Sequence, residues 1–324
     1  MRNGILVVAV VVGLVTTVAL AAPPVLPPGV RQVKDVAYVP DGDAAQKLDL
    51  YLPENGGEAP WPLIVWVHGG GWSGGSKAGC PAIGFVRRGY AVASVEYRFS
   101  QKAAFPAQIQ DCQAAIRWLR AHATEYGIDG RHIGVWGESA GGHLVLLFGL
   151  AGGTDAFGKI GGNDEQSDRV QAVVDYYGPT DFATVREQAA SDRRVSNTYH
   201  FNHGDPYSGL IGVPLGSDTA KEEAVSPVRY VGADNPPLLI LHGTKDPLVP
   251  YAQSEELVAA MKGVNAKEVL LQTFPGAGHG GGPFSQPAVM DLLRAFFDKH
   301  VAGKDVEVTL IPESKLAAPT TSSA

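Results

Sequence analysis

One hydroxyl stands among glycines in Gly137-Glu138-Ser139-Ala140-Gly141-Gly142. A short apolar run at 131–136 precedes it and reads as a strand, and a longer apolar run follows it and reads as a helix over 139–150. G-x-S-x-G between a strand and a helix is a sharp turn that presents a serine Oγ at a helix N-terminus. There the backbone amides and the helix dipole favour developing negative charge. The pattern alone is moderately specific, because small residues crowd many strand-to-helix turns, and here the context on both sides agrees with it. Nucleophilic catalysis is the chemistry this arrangement suggests, with Ser139 as the nucleophile.

A serine hydroxyl attacks only when a base takes its proton. Downstream histidines are His143, His200, His203, His242, His279 and His300. His279 lies in "PGAGHGGG", a glycine-bounded loop after the last strand candidate, where a base should be delivered. His143 falls one helical turn past the serine and reads as a packing or supporting residue, and His242 and His300 read as structural. His200 and His203 lie in a long polar stretch. For the acid, Asp246 in "LHGTKDPLVP" occupies the equivalent loop after the preceding strand. Its rival reading is an ordinary Asp-Pro turn. Asp175, Asp181 and Asp234 are weaker competitors.

A second element stands upstream. His68-Gly69-Gly70-Gly71-Trp72 follows the apolar run 61–67 directly. Three glycines can make a merely flexible loop. The functional reading is that the amides of Gly70 and Gly71, with that of Ala140, form an oxyanion hole, each donor contributing roughly 3 kcal/mol to the transition state. His68 is expected to pin this loop by hydrogen bonds. Trp72 and Glu138 are the substrate-binding candidates: Trp72 is expected to flank the entrance, its alternative being a packing anchor.

The elements that must position these residues follow from pattern. Strand candidates run over 35–40, 47–53, 61–67, 90–98, 131–136, 170–178, 236–243 and 267–274. The first two alternate and suit an antiparallel start. The central ones are nearly continuous apolar runs, as parallel strands buried on both faces require. Helical periodicity appears over 106–126, with Ile109, Cys112, Ile116 and Leu119 on one face, and over 139–150, 251–262 and 284–300. Alternating strands and helices predict an α/β fold, a mostly parallel eight-stranded sheet with helices on both faces.

The chain has 324 residues, 45% of them hydrophobic and 18% charged, which suits a globular protein rather than a disordered one. A formal net charge of −7 with no Lys/Arg-rich block argues against a nucleic-acid partner. Residues 1–21 read as a secretory signal peptide: Arg2, an apolar stretch, then Ala19-Leu20-Ala21, with the mature chain starting near Ala22. The rival is an uncleaved anchor. Export predicts a secreted or periplasmic protein with no stable membrane partner after cleavage. In an oxidising compartment Cys80 and Cys112 could pair, or both could stay buried thiols. The expected organisation is a linker over 22–34, the α/β domain over 35–302 with insertions near 152–168 and 181–234, and a disordered tail over 303–324. No metal or organic cofactor is expected, and His200, His203 and Asp205 make only a weak cluster in a polar stretch.

"HGGGW", "GESAGGH", "HGTKDPLVP" and "GAGH" together resemble an α/β-hydrolase of the esterase/lipase group with an HGGG oxyanion loop. "FPAQIQDCQAAIRWLRAHATEYGID" followed by "RHIGVWGESAGGHL" is closer to secreted bacterial esterases of the feruloyl-esterase-like branch, relatives of hormone-sensitive-lipase-type esterases and kynurenine formamidases. The resemblance spans roughly 35–301. It implies Ser139 as nucleophile, Asp246 as acid, His279 as base, and Gly70, Gly71 and Ala140 as oxyanion donors. The chain departs from hormone-sensitive-lipase relatives in lacking an N-terminal helical cap and in carrying Glu138 where an aspartate is usual. The expected function is a secreted serine hydrolase of carboxylic esters, acting on small-molecule or polysaccharide-linked substrates such as acetyl or feruloyl esters. The alternatives are an aryl formamidase on the same residues and a non-catalytic binding protein.

Overall fold

The apolar runs pair into one sheet. In the computed structural model, which describes residues 26–54, 59–192 and 205–316, the strands are β1 (Val30–Ala37), β2 (Lys47–Pro53), β3 (Trp61–Val67) and β4 (Ala91–Val95), then β5 (Ile128–Glu138), β6 (Ala172–Tyr176), β7 (Leu238–Gly243) and β8 (Val269–Phe274). Their spatial order is β1-β2-β4-β3-β5-β6-β7-β8. β1 and β2 are antiparallel, and β2 meets β4 antiparallel; from β4 onward every pairing is parallel. This is the mostly parallel eight-stranded sheet that the sequence predicts.

Among the described residues eight α-helices cover it: α1 (Ala107–Ala121), α2 (Ala123–Tyr126), α3 (Ala140–Ala151), α4 (Val185–Ser191), α5 (Pro206–Ile211), α6 (Thr219–Val225), α7 (Tyr251–Gly263) and α8 (Pro287–His300). Side chains along each strand alternate between the two faces. On β3, Leu63, Val65 and Val67 pack toward α1, α3 and α7, whereas Ile64 and Trp66 pack toward α8 and a 3-10 segment, Pro81–Arg88. Helix α3 is buried along its whole length, which is why it is apolar on every side.

Element boundaries differ from expectation where local geometry intervenes. The helix read over 106–126 breaks at His122 into α1 and α2. The helix read over 284–300 starts only at Pro287, in the first turn where proline is tolerated, with a separate 3-10 turn at Gly282–Ser285 before it. β1 begins at Val30, inside the stretch read as linker.

Three expectations are corrected. First, the described parts of the stretch 181–234 (181–192 and 205–234) are not a loose loop: α4, α5, α6 and a 3-10 turn at Pro227–Tyr230 bury Phe182, Val185, Tyr207, Leu210 and Val225 in the main core. Second, the tail is ordered from Gly303 to Leu316. Val308, Leu310 and Ile311 pack on the α8 side, and Ile311 exchanges backbone hydrogen bonds with the Gln272 amide, its N–H donating to Oε1 at 2.7 Å. Third, Cys80 and Cys112 are both free and buried, in clusters on opposite faces of the sheet, so the sheet itself separates them and the disulfide reading fails. Residues 1–21, read as a signal peptide, along with His200, His203 and residues 317–324, lie outside the described residues.

Candidate active site

Parallel pairing puts the C-terminal ends of β3, β5, β6, β7 and β8 along one edge, and Ser139, Asp246, His279, Gly70, Gly71, Ala140, Trp72 and Glu138 all follow or end these strands. Val67 pairs with Gly137 and Gly243 with Phe274, so the loops that follow these strands rise side by side. Ser139 follows β5 at φ 54° and ψ −120°, a conformation an L-residue holds at a cost of about 1–3 kcal/mol. The turn is clamped from both sides: the Ser139 amide donates to Tyr176 O at 2.8 Å, and the His143 amide donates to Ser139 O at 2.9 Å. The flanking glycines are required by close approach. A Cβ at Gly137 would collide with the Gly141 carbonyl, and one at Gly141 with the Val67 carbonyl.

The structure brings Ser139, His279 and Asp246 together in a hydrogen-bonded row. His279 Nδ1–H donates to Asp246 Oδ2 at 2.7 Å, which leaves Nε2 to accept from Ser139 Oγ–H at 2.8 Å. The His279 side chain is 13% exposed, open to a substrate, whereas Asp246 is 1% exposed. Four donors surround that buried carboxylate. Oδ1 accepts from the amides of Leu248 (2.8 Å) and Val249 (2.9 Å), and Oδ2 lies 2.7 Å from His279 Nδ1 and 3.2 Å from His242 Nε2. Burial alone would raise its pKa, but the hydrogen bonds and charges of His242 and His279 outweigh it and hold the carboxyl well below the usual range. Asp246 therefore stays ionised, as orienting an imidazole demands.

The glycine loop lies against Ser139: a Cβ on Gly69 would stand 3.3 Å from Ser139 Cβ. Gly70 and Gly71 have φ of 110° and 60°, and their amides, with that of Ala140 at the start of α3, take no acceptor among the described residues. Side chains from elsewhere hold this loop. His68 bridges Gly69 O (2.8 Å, Nδ1) and the Glu96 carboxylate (2.6 Å, Nε2), with its ring stacked on Tyr97 at 4.5 Å. Burial raises the Glu96 pKa, but the interactions that lower it, led by the hydrogen bond from His68, outweigh burial and give a net fall.

Trp72 does not flank an entrance. It is 2% exposed, packed among Phe182, His143 and Tyr207, and its indole N–H donates to His143 Nδ1 at 3.2 Å. It is the packing anchor of the alternative reading. Burial lowers the His143 pKa to about 4, so the ring is neutral, and its Nε2–H donates to Val225 O at 2.8 Å. Glu138 is half-buried and accepts from the Tyr177 hydroxyl at 3.3 Å.

Residues 48–261 match the BD-FAE family. The chain belongs to the BD-FAE family. It is 31% identical over 252 residues to esterase LipQ of Mycobacterium tuberculosis, an alignment covering 76% of this chain but 57% of LipQ, so the chain spans little more than half of that relative. Among solved structures, a truncated carbohydrate esterase from gut microbiota superposes with a TM-score of 0.74 at 30% identity, covering 84% of this chain and 96% of that one. Esterase 2 of Thermogutta terrifontis, phosphoramylated by tabun, gives a TM-score of 0.65 at 26% identity over 86% of this chain and 97% of its own. The chain is thus an α/β-hydrolase with esterase relatives.

Within this BD-FAE chain, two site neighbours escaped the sequence reading. Tyr177, at φ 45°, places its ring 4.5 Å from that of His279 while its hydroxyl reaches Glu138. It tops β6, the strand the His279 loop must reach across to meet Ser139. Glu96, the partner of His68, is the other. Among the described residues no group of three or more His, Cys, Asp or Glu side chains could hold a metal ion. Beside the oxyanion loop a cleft of about 710 Å³ opens, lined by Gly71, Ser73, Ser100, Gln101, Asp205 and Ser208 among others.

Proposed function

We propose that the protein is an exported serine carboxylesterase. The observation that carries this reading is the uninterrupted row from Ser139 Oγ through His279 to Asp246, at 2.8 and 2.7 Å. In the proposed cycle Ser139 Oγ attacks the acyl carbon as His279 Nε2 takes its proton, and Asp246 stabilises the imidazolium. The amides of Gly70, Gly71 and Ala140 bind the oxyanion. The imidazolium then gives its proton to the leaving alcohol, and a water activated by His279 hydrolyses the acyl-enzyme, restoring Ser139.

For substrate, the proposal is an acetyl or feruloyl ester of a polyhydroxylated alcohol such as a plant polysaccharide. Its support is the carbohydrate esterase among the structural relatives, together with the exposed Ser73 and Gln101 side chains on the cleft beside Gly71, whose hydroxyl and amide suit sugar hydroxyls. Export rests on the 1–21 signal reading.

The test is hydrolysis of p-nitrophenyl acetate, butyrate and octanoate, methyl ferulate, acetylated xylan and N-formylkynurenine by the chain from Ala22, beside Ser139→Ala. Turnover of the esters, lost by about 10⁶-fold in kcat in Ser139→Ala, is the expected result. Activity that survives in Ser139→Ala removes the serine from its role. Preference for N-formylkynurenine replaces the ester reading with the formamidase one.

A further inference from the structure

His242 closes β7 next to the acid loop and is completely buried. A buried histidine near an active site most often satisfies itself with backbone groups. This one does something else. Its Nε2 faces two acceptors, Val249 O at 3.1 Å and Asp246 Oδ2 at 3.2 Å, so Nε2 must carry the proton and share it between them. Nδ1 is then an acceptor, and Ser254 Oγ, on α7, lies 2.6 Å away to donate to it. The carboxylate oxygen that receives His279 from the solvent side thus receives a second imidazole from the core side. A serine–histidine pair approaches Asp246 from each direction, Ser139–His279 from the partly exposed side and Ser254–His242 from within the protein.

We propose that His242 is a positioning residue for the reaction: it fixes the Asp246 carboxylate so that Oδ2 keeps facing His279 Nδ1 through the cycle. This rests on the reading of Ser139, His279 and Asp246 as the catalytic row. The argument is geometric. A carboxylate held by one imidazole can rotate about its last torsion and follow that ring when the ring moves toward substrate or leaving group. Held also by the amides of Leu248 and Val249 on Oδ1 and by the His242 N–H on Oδ2, it has no free direction left. His279 must then move against a fixed reference, and its tautomer and tilt are set before substrate arrives. The Val249 carbonyl, held by the same N–H, ties the carboxylate to the backbone that presents the two Oδ1 donors.

The test compares His242→Leu, which fills the site without a donor, with His242→Gln, whose side-chain amide can still donate toward Asp246. Ile240→Val, a buried change on the same strand that does not touch Asp246, controls for lost stability. The expected result is a fall in kcat of about 10–100-fold for His242→Leu with KM within twofold, the size usual when the partner that orients a functional ligand is lost. Most of the loss should be recovered in His242→Gln, and the control should keep wild-type kcat. Independently of turnover, the low-field proton resonance of the His279 Nδ1–H, identified by its disappearance in His279→Ala, should move in His242→Leu. If His242→Leu does not fold, Ser254→Ala tests the same chain of bonds from its far end and should move that resonance with a few-fold loss of kcat. Unchanged kcat and an unmoved resonance in the folded variants would overturn the proposal. Ser139→Ala is measured alongside: residual activity there sinks the catalytic row itself, whereas an inactive Ser139→Ala with wild-type-like His242 variants sinks only the role of His242.

Discussion

Two loops flank the row that runs from Ser139 through His279 to Asp246, and they are held in different ways. The acid loop after β7 draws on its own residues and on the adjacent β8 loop, to which the Thr244 and Lys245 amides donate at Phe274 O and Ala277 O. Asp246 accepts from the amides of Leu248 and Val249 two and three residues further on, and His242, near the end of β7, donates to Val249 O. The oxyanion loop after β3 has glycines where such side chains would be, and its own bonds are few: the Ser73 amide to Gly70 O, for example. Its position comes from outside, from Glu96 through His68 on one side and from His143, Phe182 and Tyr207 around Trp72 on the other. A glycine loop with bare amides, the property the proposed oxyanion role requires, has few side chains with which to hold itself, so much of its scaffold is distributed over distant parts of the chain. Damage to the acid loop should therefore be local, and damage to the oxyanion loop should follow from substitutions far from it in sequence.

The largest effect expected is at the acid loop. Asp246→Asn keeps the size of the acid and removes its charge, so kcat should fall by about 10⁴-fold while the protein remains folded, read from steady-state kinetics and circular dichroism. A loss of less than tenfold would mean that another group orients His279. Next is Gly70→Ala. At φ 110° a Cβ is strained, and it would run into the Gly74 carbonyl, so the loop must shift. The expected loss is about 10²–10³ in kcat with KM little changed, the cost of one misplaced oxyanion donor.

A pH experiment reaches the oxyanion scaffold from the far side. His143 is neutral when folded, with a pKa lowered to about 4 from 6.5 by burial. The unfolded chain binds this proton at the higher pH, so stability is complete above about 6.5 and is lost as pH falls toward 4, by up to about 3 kcal/mol. Urea unfolding across that window should show stability falling with acidification, with a flatter slope in His143→Gln. Equal slopes would remove His143 from the linkage. The smallest effect expected is Trp72→Phe, which keeps a ring in the aromatic cluster but leaves His143 Nδ1 without its donor. It should cost about 1–2 kcal/mol in stability and lower kcat more than KM, whereas a stability loss with unaltered kcat would uncouple the anchor from the loop.

Much of this arrangement can be read from one-dimensional pattern. The uninterrupted apolar run of β3 and the strand–glycine–serine–helix succession around Ser139 are local signals, and both appear where they should. Asp246 and His279 could be chosen because parallel topology makes the loops after β7 and β8 neighbours. Tyr177 carries no such signal: a bulky residue at positive φ looks like any other aromatic at a strand end, and its contact with His279 exists only once the fold is closed. Trp72 misled for a related reason. Its position beside the glycine loop suggests an entrance, and the residues that bury it, Phe182 and Tyr207, arrive from more than a hundred positions later. Those same residues were hidden in a stretch too polar, with helices too short, to show a helical period. The tail is different, because its signal was present: Val308 and Leu310 alternate with Glu307 and Thr309, a strand-like period outweighed by the polar composition that follows.

The two thiols, finally, sit one on each side of the sheet. Burial pushes the Cys80 thiol up to about 12, and holds Cys112 far above its ordinary value, so neither is a thiolate near neutral pH while the protein is closed. Each becomes reactive only when its own layer opens. The rates at which an alkylating reagent labels the two positions under native conditions therefore time the openings of the two layers separately. Equal rates would mean that the molecule opens as one cooperative unit, and unequal rates would show which face of the sheet lets go first.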